Sequence, residues 1–508
     1  MKKLFKAIAV ITSFSVLTRA LGFLFRIFLS RLVGAEGLGV YQISFSVYMV
    51  LETFISSGIP LIVSKITSSL ENSPNKKKEF STVTAALICG VVTSLILCGI
   101  VLIFKNLFGL LFTDKRCLTI LLTLLPALVF SSVYSILRGN IWGHKKYFLV
   151  SITEFLEQFI RVIICVLATA VIFSSFDGAL TASYSFVISS AISSILVIIF
   201  YFKIGGRFKN PKGNFKTIIK SSLPISLVKV VSSLLTPIIS IIIPMQLIFA
   251  GYSSEQAMSV FGVAMGMTFP LLYIPSTIIG SLSMTLIPDL SSSLSNKNIA
   301  EIKTKIHFSV KFAFFVSFLF IPIFFSLGTP IGLFLYNNTQ SGFFLHNSCW
   351  LIIPICLSGI TVSCLNALNL EIKGFINYLI GAIFLIICIF SLTKTLGILS
   401  LVYGMGLCLG IATILNIRML NKVFNDNFFN FSYLLKLLVC FIPSSLMANW
   451  TFSILIKFIP LFFSLALSCV ISLIFFIIFS YLFKLINFSF IDFKSKILKK
   501  TLNKKKKA

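Results

Sequence analysis

Long apolar runs separated by short polar segments dominate the hydropathy pattern of this 508-residue chain. A helix that crosses a bilayer needs about 20 consecutive, mostly apolar residues. Runs of that length recur along the whole chain, so the pattern predicts an all-α polytopic membrane protein with about 14 transmembrane helices. The predicted spans are 7–29, 41–63, 82–104, 117–137, 147–171, 179–202, 220–246, 257–284, 308–328, 349–368, 375–392, 396–417, 431–452 and 459–483.

A weak internal repeat suggests how these spans are grouped. The pattern Ile-Pro followed by Ser-Ser-Leu occurs at 59–70 and again at 287–294, six predicted spans later. An even number of crossings gives both copies the same membrane orientation, as in two parallel lobes, although chance similarity is the alternative. We predict an N-terminal lobe of six helices at 1–202, a cytoplasmic linker at 203–219, a C-terminal lobe of six helices at 220–418, and two additional helices with a basic tail at 419–508.

The charge balance supports a membrane protein and sets its orientation. Hydrophobic residues make up 57% of the chain and charged residues 11%, against roughly 25% in soluble proteins. The net charge is +29, and Lys and Arg cluster at 76–78, 145–146, 203–220 and 504–507. Such clusters beside apolar spans mark the cytoplasmic side. We therefore expect a multi-pass protein of the cytoplasmic membrane with both termini in the cytoplasm, membrane lipids as neighbours and no nucleic-acid partner.

The cysteines and histidines do not indicate a metal site. The eleven cysteines lie mostly inside apolar runs and form no C-x-x-C pair, and the three histidines are isolated. Small buried apolar side chains are the expected role of such cysteines. A disulfide between Cys117 and Cys349, both near the predicted outer surface, is left open. We expect no cofactor, and the sequence specifies neither a coupling ion nor an oligomeric state.

Ionisable residues inside the predicted spans are the candidate functional groups, because each costs about 2.5–3.5 kcal/mol at the centre of a membrane helix. Arg19 and Arg26 lie seven residues apart in the first span, nearly two helical turns, so they share one face. Glu52 lies near the middle of the second span. The remaining candidates are Glu154, Glu157, Gln158 and Arg161, which share one face of the fifth span, and Lys229 in the seventh.

Two interpretations of these charges are open. They can form structural ion pairs between helices, with Glu157 bound to Arg161 and Glu52 to Arg19. Alternatively, the arginines can face a cavity, where the planar guanidinium suits bidentate binding of phosphate oxygens.

Several motifs resemble a known family. Residues 19–26 (RALGFLFR) and 34–42 (GAEGLGVYQ) are similar to the stage V sporulation protein B group of polysaccharide flippases. That group belongs to the superfamily that also contains the lipid II flippases and the multidrug and toxin extrusion transporters. Further similar stretches lie at 58–65, 157–161 and 250–288, so the resemblance covers about residues 1–300 most strongly.

The resemblance implies two six-helix lobes around a central cavity, two extra C-terminal helices and transport by alternating access. It implies a polyprenyl-pyrophosphate-linked oligosaccharide or peptidoglycan precursor as cargo, for cell-wall, spore-cortex or polysaccharide synthesis. It also implies that Arg19 and Arg26 line the cavity. The chain departs from the family at Met245-Gln246, where many relatives have a basic pair, and at Glu52, where lipid II flippases tend to carry Arg.

Our hypothesis is a flippase that is not an enzyme. The first alternative is a cation-coupled multidrug exporter of the same fold, in which Glu52, Glu154 and Glu157 would attract the cation. A remote alternative is a membrane-embedded glycosyltransferase, which usually needs an acidic metal site or a large outer domain. The sequence contains no D-x-D motif and no large outer domain.

Overall fold

The computed structural model of the protein describes residues 2–70, 76–168, 175–211 and 215–485, and the regular elements in these ranges are helices. The described residues fall into two compact units. The first extends to Met267 and includes Ile389–Ile398, and the second comprises Thr268–Cys388 and the residues from Leu399 onward. The basic tail beyond residue 485 lies outside the described residues. The two six-helix lobes and the linker at 203–219 stay predictions.

The helices of the first unit are α1 (Lys2–Ser56), α2 (Gly58–Leu70), α3 (Lys76–Ile103), α4 (Lys105–Leu111), α5 (Lys115–Gly143), α6 (Tyr147–Leu167), α7 (Ser175–Lys203), α8 (Phe215–Ser233), α9 (Leu235–Phe249) and α10 (Ser254–Phe261). A π-helix at Gly262–Thr268 follows α10. The apolar core of this unit joins side chains of α2, α3, α5, α6, α7 and α8.

The helices that follow are α11 (Phe269–Leu272), α12 (Ile274–Ser295), α13 (Ile299–Tyr336), α14 (Thr339–Ser348), α15 (Ile352–Ala367), α16 (Glu371–Leu396), α17 (Leu399–Phe424), α18 (Phe431–Leu455) and α19 (Leu461–Leu482). A 3₁₀ turn at Cys349–Leu351 connects α14 to α15. The two copies of the Ser-Ser-Leu motif occupy equivalent places, since one ends α2 and the other lies at the end of α12.

The prediction of an all-α polytopic membrane protein is confirmed, and its count of about fourteen spans is approximate. Among the described residues, eleven helices are long and apolar enough to cross a membrane, or up to twelve with the bent pair that ends at Ser295. One of the eleven, Ser13–Leu70, combines most of α1 with α2 and has 58 residues. At 1.5 Å per residue these residues follow a helical path of about 87 Å, which is enough for more than one crossing of a core about 30 Å thick. The charge-bearing α6 is not among the eleven.

The long helix α1 is broken at Gly34, whose backbone has φ 73° and ψ −178°. This region is essentially restricted to glycine, because a Cβ would clash with the backbone. Beyond the break, Glu36 forms a salt bridge of 2.6 Å with Arg116 on α5. Arg116 also binds Asp114, whose carboxylate accepts a hydrogen bond from the Arg116 backbone N–H and caps α5. The second half of α1 is thereby tied to the start of α5.

Prolines lie at three other helix breaks, where their fixed φ and missing N–H disfavour a continuous helix. Pro237 lies in the first turn of α9, directly after the break at Leu234. Pro270 follows the π-helix, and Pro275 follows Tyr273, where the chain bends by 46°.

A glycine contact brings α1 and α10 together at backbone distance. A Cβ built on Gly39 would lie 2.1 Å from the Met258 carbonyl oxygen, and one built on Gly262 would lie 1.9 Å from the Ala35 oxygen. Small residues let membrane helices approach closely, and van der Waals packing then replaces the hydrophobic driving force that lipid removes. A similar close glycine contact joins α13 to α14, where a Cβ built on Gly332 would lie 2.3 Å from the Gly342 nitrogen.

A buried polar cluster ties α2, α3 and α5 together. The Glu79 side chain is 3% exposed and contacts the His144 Nε2 at 2.7 Å. The Asn140 amide donates to the same carboxylate at 2.9 Å and to the Thr67 hydroxyl at 2.8 Å. Sequence spacing gives no sign of this cluster, because 61 to 73 positions separate Asn140 from its two partners. The eleven cysteines are free thiols, so Cys117 and Cys349 are not joined.

We expect Gly39→Ala to destabilise the protein, although alanine is the better helix former by about 1 kcal/mol. The new Cβ would force α1 and α10 apart, and such overpacking typically costs about 1–3 kcal/mol. The thermal midpoint of the detergent-solubilised chain should fall. The matched control is Gly99→Ala on α3, where a Cβ meets no atom within 4 Å. Equal midpoints for the two variants would contradict this account of the contact.

Candidate functional site

Most of the predicted charged residues come together in the first unit, where α6 packs against α1, α5 and α7. The polar residues of α6 occupy one face of the helix but reach three different neighbours. Each contact satisfies a group that would otherwise be unpaired in an apolar bundle.

The Arg161 guanidinium makes four contacts. Its guanidinium forms a 2.7 Å salt bridge with Glu157 one turn earlier and donates to the Gln158 side-chain oxygen at 3.2 Å. Its Nε donates to the Ser189 hydroxyl of α7 at 3.3 Å. The guanidinium carbon also lies 4.3 Å from the centre of the Phe186 ring, a cation–π contact. The pairing of Glu157 with Arg161 is the structural interpretation considered from the sequence.

The Arg161 site is backed by an aromatic cluster. Phe186 of α7 makes edge-to-face contacts with Phe45 and Tyr48 of α1, each with ring centres 5.3 Å apart. These rings exclude water from one side of the guanidinium. The cation is therefore oriented by α6, α7 and α1 together.

The first helix meets α6 between its two arginines. A Cβ built on Gly22 would lie 3.5 Å from the Gln158 Nε2, so α6 packs on α1 at the turn that separates Arg19 from Arg26. The Arg19 side chain is exposed and has no salt bridge among the described residues, whereas Arg26 is half-buried. Arg26 and Arg161 both act electrostatically on the buried Tyr41. The pairing of Glu52 with Arg19 is not found in the described part of the chain.

Glu154 has a partner that the sequence analysis missed. Its carboxylate forms a salt bridge with Arg138 of α5. Arg138 directly follows the predicted span 117–137, so hydropathy alone assigns it to the loop after that span. No local pattern pairs it with a residue 16 positions later on the next helix.

Glu52 occupies a different position from the other two carboxylates. It lies in the second half of α1, close enough to Glu157 and Arg161 to interact with them electrostatically. One turn earlier on the same helix, the Tyr48 hydroxyl lies 3.3 Å from the Ser131 hydroxyl of α5. No described residue forms a salt bridge with Glu52. It therefore adds a carboxylate to the interior of the unit without neutralising an arginine.

Lys229 lies on α8, where its side chain is exposed. No ion pair joins it to the α6 residues within the described ranges. The structure therefore brings together Glu52, Glu157, Gln158, Arg161 and the turn between Arg19 and Arg26, pairs Glu154 with Arg138, and leaves Lys229 apart. The roles of these residues in binding stay predictions. Among the described residues there is no cluster of three or more His, Cys, Asp or Glu side chains suited to a metal ion.

Comparisons with known proteins agree on one family. A model described as "Polysaccharide biosynthesis protein" matches residues 4–294. Stage V sporulation protein B of Bacillus subtilis (strain 168) is 24% identical over 436 residues, which cover 82% of this chain and 83% of the relative. The lipid II flippase MurJ of the same organism is 25% identical over 199 residues, or 37% of each chain.

Solved structures show the same fold. Lipid II flippase MurJ in an inward closed conformation superposes with a TM-score of 0.71 at 18% identity, covering 94% of this chain and 98% of that one. A multidrug resistance MATE family transporter of the MOP superfamily, in its inward-facing conformation, gives a TM-score of 0.66 at 16% identity and covers 82% and 99%. The helical arrangement is thus shared by flippases and drug exporters.

We expect Arg161→Ala to lower the free energy of unfolding by roughly 2–3 kcal/mol, because Glu157 and Ser189 lose a charged donor. Arg161→Lys should be intermediate, since an ammonium keeps the charge but not the planar fork. The measurement is unfolding in detergent, with Lys105→Ala, an exposed cation of the same unit, as the control.

A double-mutant cycle separates the pair from its surroundings. In the background of Glu157→Gln, the further loss on changing Arg161 to Ala should be clearly smaller than in the native chain. Additive losses would mean that the 2.7 Å contact contributes nothing to stability.

Proposed function

Because the chain belongs to the polysaccharide biosynthesis protein family, and is a multi-pass membrane transporter of the flippase type, we propose that it moves a lipid-linked sugar across the cytoplasmic membrane. The proposed cargo is a polyprenyl-pyrophosphate-linked oligosaccharide or peptidoglycan precursor. Both termini lie in the cytoplasm in this proposal, since the basic segments adjoin that side. The lobes alternate access about the segment 203–219.

The exposed position of Arg19 within an apolar span is the observation that supports the proposal most directly. It lies 12 residues into the first predicted span, about 18 Å from its inner end, which is close to the middle of a core about 30 Å thick. Its guanidinium is exposed and has no salt bridge among the described residues. A cation kept at this depth without a counter-charge favours an anionic ligand, because membrane charges otherwise pair within the protein.

Arg161 supports the same proposal in a different way. A guanidinium has five N–H donors. Glu157, Gln158 and Ser189 take three of them. The remaining donors allow the pyrophosphate to share the cation without first breaking the ion pair with Glu157. Arg161 is thus an oriented second binding group, and Arg19 supplies a charge on α1 that no described residue compensates.

The second candidate is a cation-coupled multidrug exporter, and Glu52 favours it. Glu52 has no salt bridge with a described residue, and the fold is shared with MATE transporters. In this alternative Glu52 would hold the coupling ion or the cationic drug. Glu52→Gln should then abolish resistance to cationic dyes in expressing cells. Under the flippase proposal those cells show no resistance that depends on Glu52.

We expect Arg19→Ala to reduce transport of a fluorescent lipid-linked oligosaccharide in proteoliposomes by more than about tenfold, since charge-assisted hydrogen bonds are worth about 1.5–3 kcal/mol. Arg19→Lys should keep part of the activity, because it retains the charge but not the fork. The amount of inserted protein should equal that of the native chain, because Arg19 is exposed and forms no hydrogen bond or salt bridge with a described residue.

The matched control is Lys436→Ala, which removes an exposed cation from α18 and should transport normally. Native transport by Arg19→Ala at equal protein level would remove Arg19 from the mechanism. Loss of transport in Lys436→Ala as well would show that general positive charge, rather than this position, is responsible.

A further inference from the structure

A lipid-facing groove between α3 and α8 is not used by the proposed transport path. It has a volume of about 360 Å³, within the range of small-ligand pockets. Its walls are apolar, with Ile88, Val92 and Ile96 from α3 facing Phe215, Ile219 and Leu223 from α8. These residues repeat at helical spacing, so each helix contributes one continuous stripe.

The groove opens outward rather than into the bundle. Ile88 is 42% exposed, Val92 48% and Ile219 51%, which is unlike the buried core beside them. The inner wall is fixed, because the Gly58 backbone N–H donates to the Ser226 hydroxyl at 3.2 Å and holds α2 against α8. The groove is therefore a stable recess in the surface that faces the acyl chains of the bilayer.

One end of the groove has a basic rim. Lys216 and Lys220 lie on α8 beside the lining residues, and both side chains are exposed. Lys78 lies in the first turn of α3 and on the same stripe as Val92 and Ile96, because 14 and 18 residues are close to whole numbers of turns.

The chain segment before α8 adds to this rim. Its Lys209 backbone N–H donates to the Thr84 hydroxyl of α3 at 3.1 Å, and the Ser81 hydroxyl donates to the Asn210 carbonyl at 2.6 Å. These contacts hold the exposed Arg207 and the half-exposed Lys209 beside the N-terminal turns of α3. No acidic residue occurs between 178 and 254, and Glu79 on α3 is buried against His144.

We propose that this groove binds one anionic glycerophospholipid of the inner leaflet, with an acyl chain along α3 and α8 and the phosphate among Lys216, Lys220 and Arg207. Basic pockets between helices on the cytoplasmic side suit anionic head groups. The bound lipid fills the recess between the two helices. It makes the packing of α8 against α3 depend on the lipid composition of the membrane.

The dimensions favour an ordinary phospholipid over the polyprenyl carrier of a cargo. The lined part of α8, from Phe215 to Ser226, is about 16 Å long at 1.5 Å per residue. That is half of a hydrocarbon core about 30 Å thick, the depth of one acyl chain. A polyprenyl chain is longer than one leaflet and would extend far beyond the groove.

The test measures lipid retained by the purified full-length chain, using native mass spectrometry after extraction from vesicles of phosphatidylglycerol and phosphatidylcholine in equal amounts. We expect one phosphatidylglycerol to be retained in preference to phosphatidylcholine. Lys216→Gln combined with Lys220→Gln should weaken that binding by about tenfold or more, since each basic residue contributes about fivefold. Val92→Trp should block the groove and give a similar loss.

Matched variants control for charge and bulk. Lys422→Gln combined with Lys436→Gln removes two exposed cations elsewhere and should retain the lipid. Leu95→Trp adds the same ring to an exposed α3 position that does not line the groove. Thermal midpoints identify any variant that has lost its fold. The other groove variant then decides whether the lipid binds in the groove.

Three results would overturn the proposal. Equal retention of phosphatidylcholine would show that the basic rim does not select the lipid. Equal loss of lipid from the control variants would show that the groove is not the binding site. Displacement of phosphatidylglycerol by an equimolar polyprenyl phosphate would reassign the groove to the lipid carrier. None of these results depends on transport activity, so the proposed function stands or falls separately.

Discussion

The need to compensate a guanidinium within an apolar helix bundle shapes the first unit of this protein. Arg161 is satisfied by Glu157, Gln158, Ser189 and the face of Phe186. Those partners come from α6 and α7, and the aromatic contacts continue onto α1. One cation thereby fixes the relative placement of three helices. Its cost in lipid explains why so many neighbouring groups are directed at it.

The polar interior depends on close backbone contacts elsewhere in the unit. Lipid supplies no hydrophobic force between helices, so tight packing and hydrogen bonds must hold them. Gly39 and Gly262 provide this packing between α1 and α10, and Gly58 provides it between α2 and α8. The Glu79 cluster adds hydrogen bonds between α2, α3 and α5. Together these contacts form a scaffold on which Arg19 can remain exposed.

The two proposed anion sites differ in the way they use charge. On α1, arginines inside an apolar span are suited to a ligand that must be drawn away from water. At the rim of the α3–α8 groove, Lys216, Lys220 and Arg207 adjoin a predicted membrane interface and are suited to a head group that stays in water. The depth of the cations therefore matches a transported cargo in one place and a resident lipid in the other.

Hydropathy by itself determined that the protein is an all-α membrane protein, because the length of an apolar run is a local property set by bilayer thickness. The sequence also located the charged face of α6, since helical periodicity is local too. Only the tertiary structure decided which carboxylate neutralises which arginine. The Glu157–Arg161 pair is local, since its residues lie one turn apart on α6, but Arg138 meets Glu154 across two helices, and Arg19 has no salt bridge with a described residue. Ion pairing depends on distances between helices, and glycine contacts and backbone breaks far along the chain set those distances.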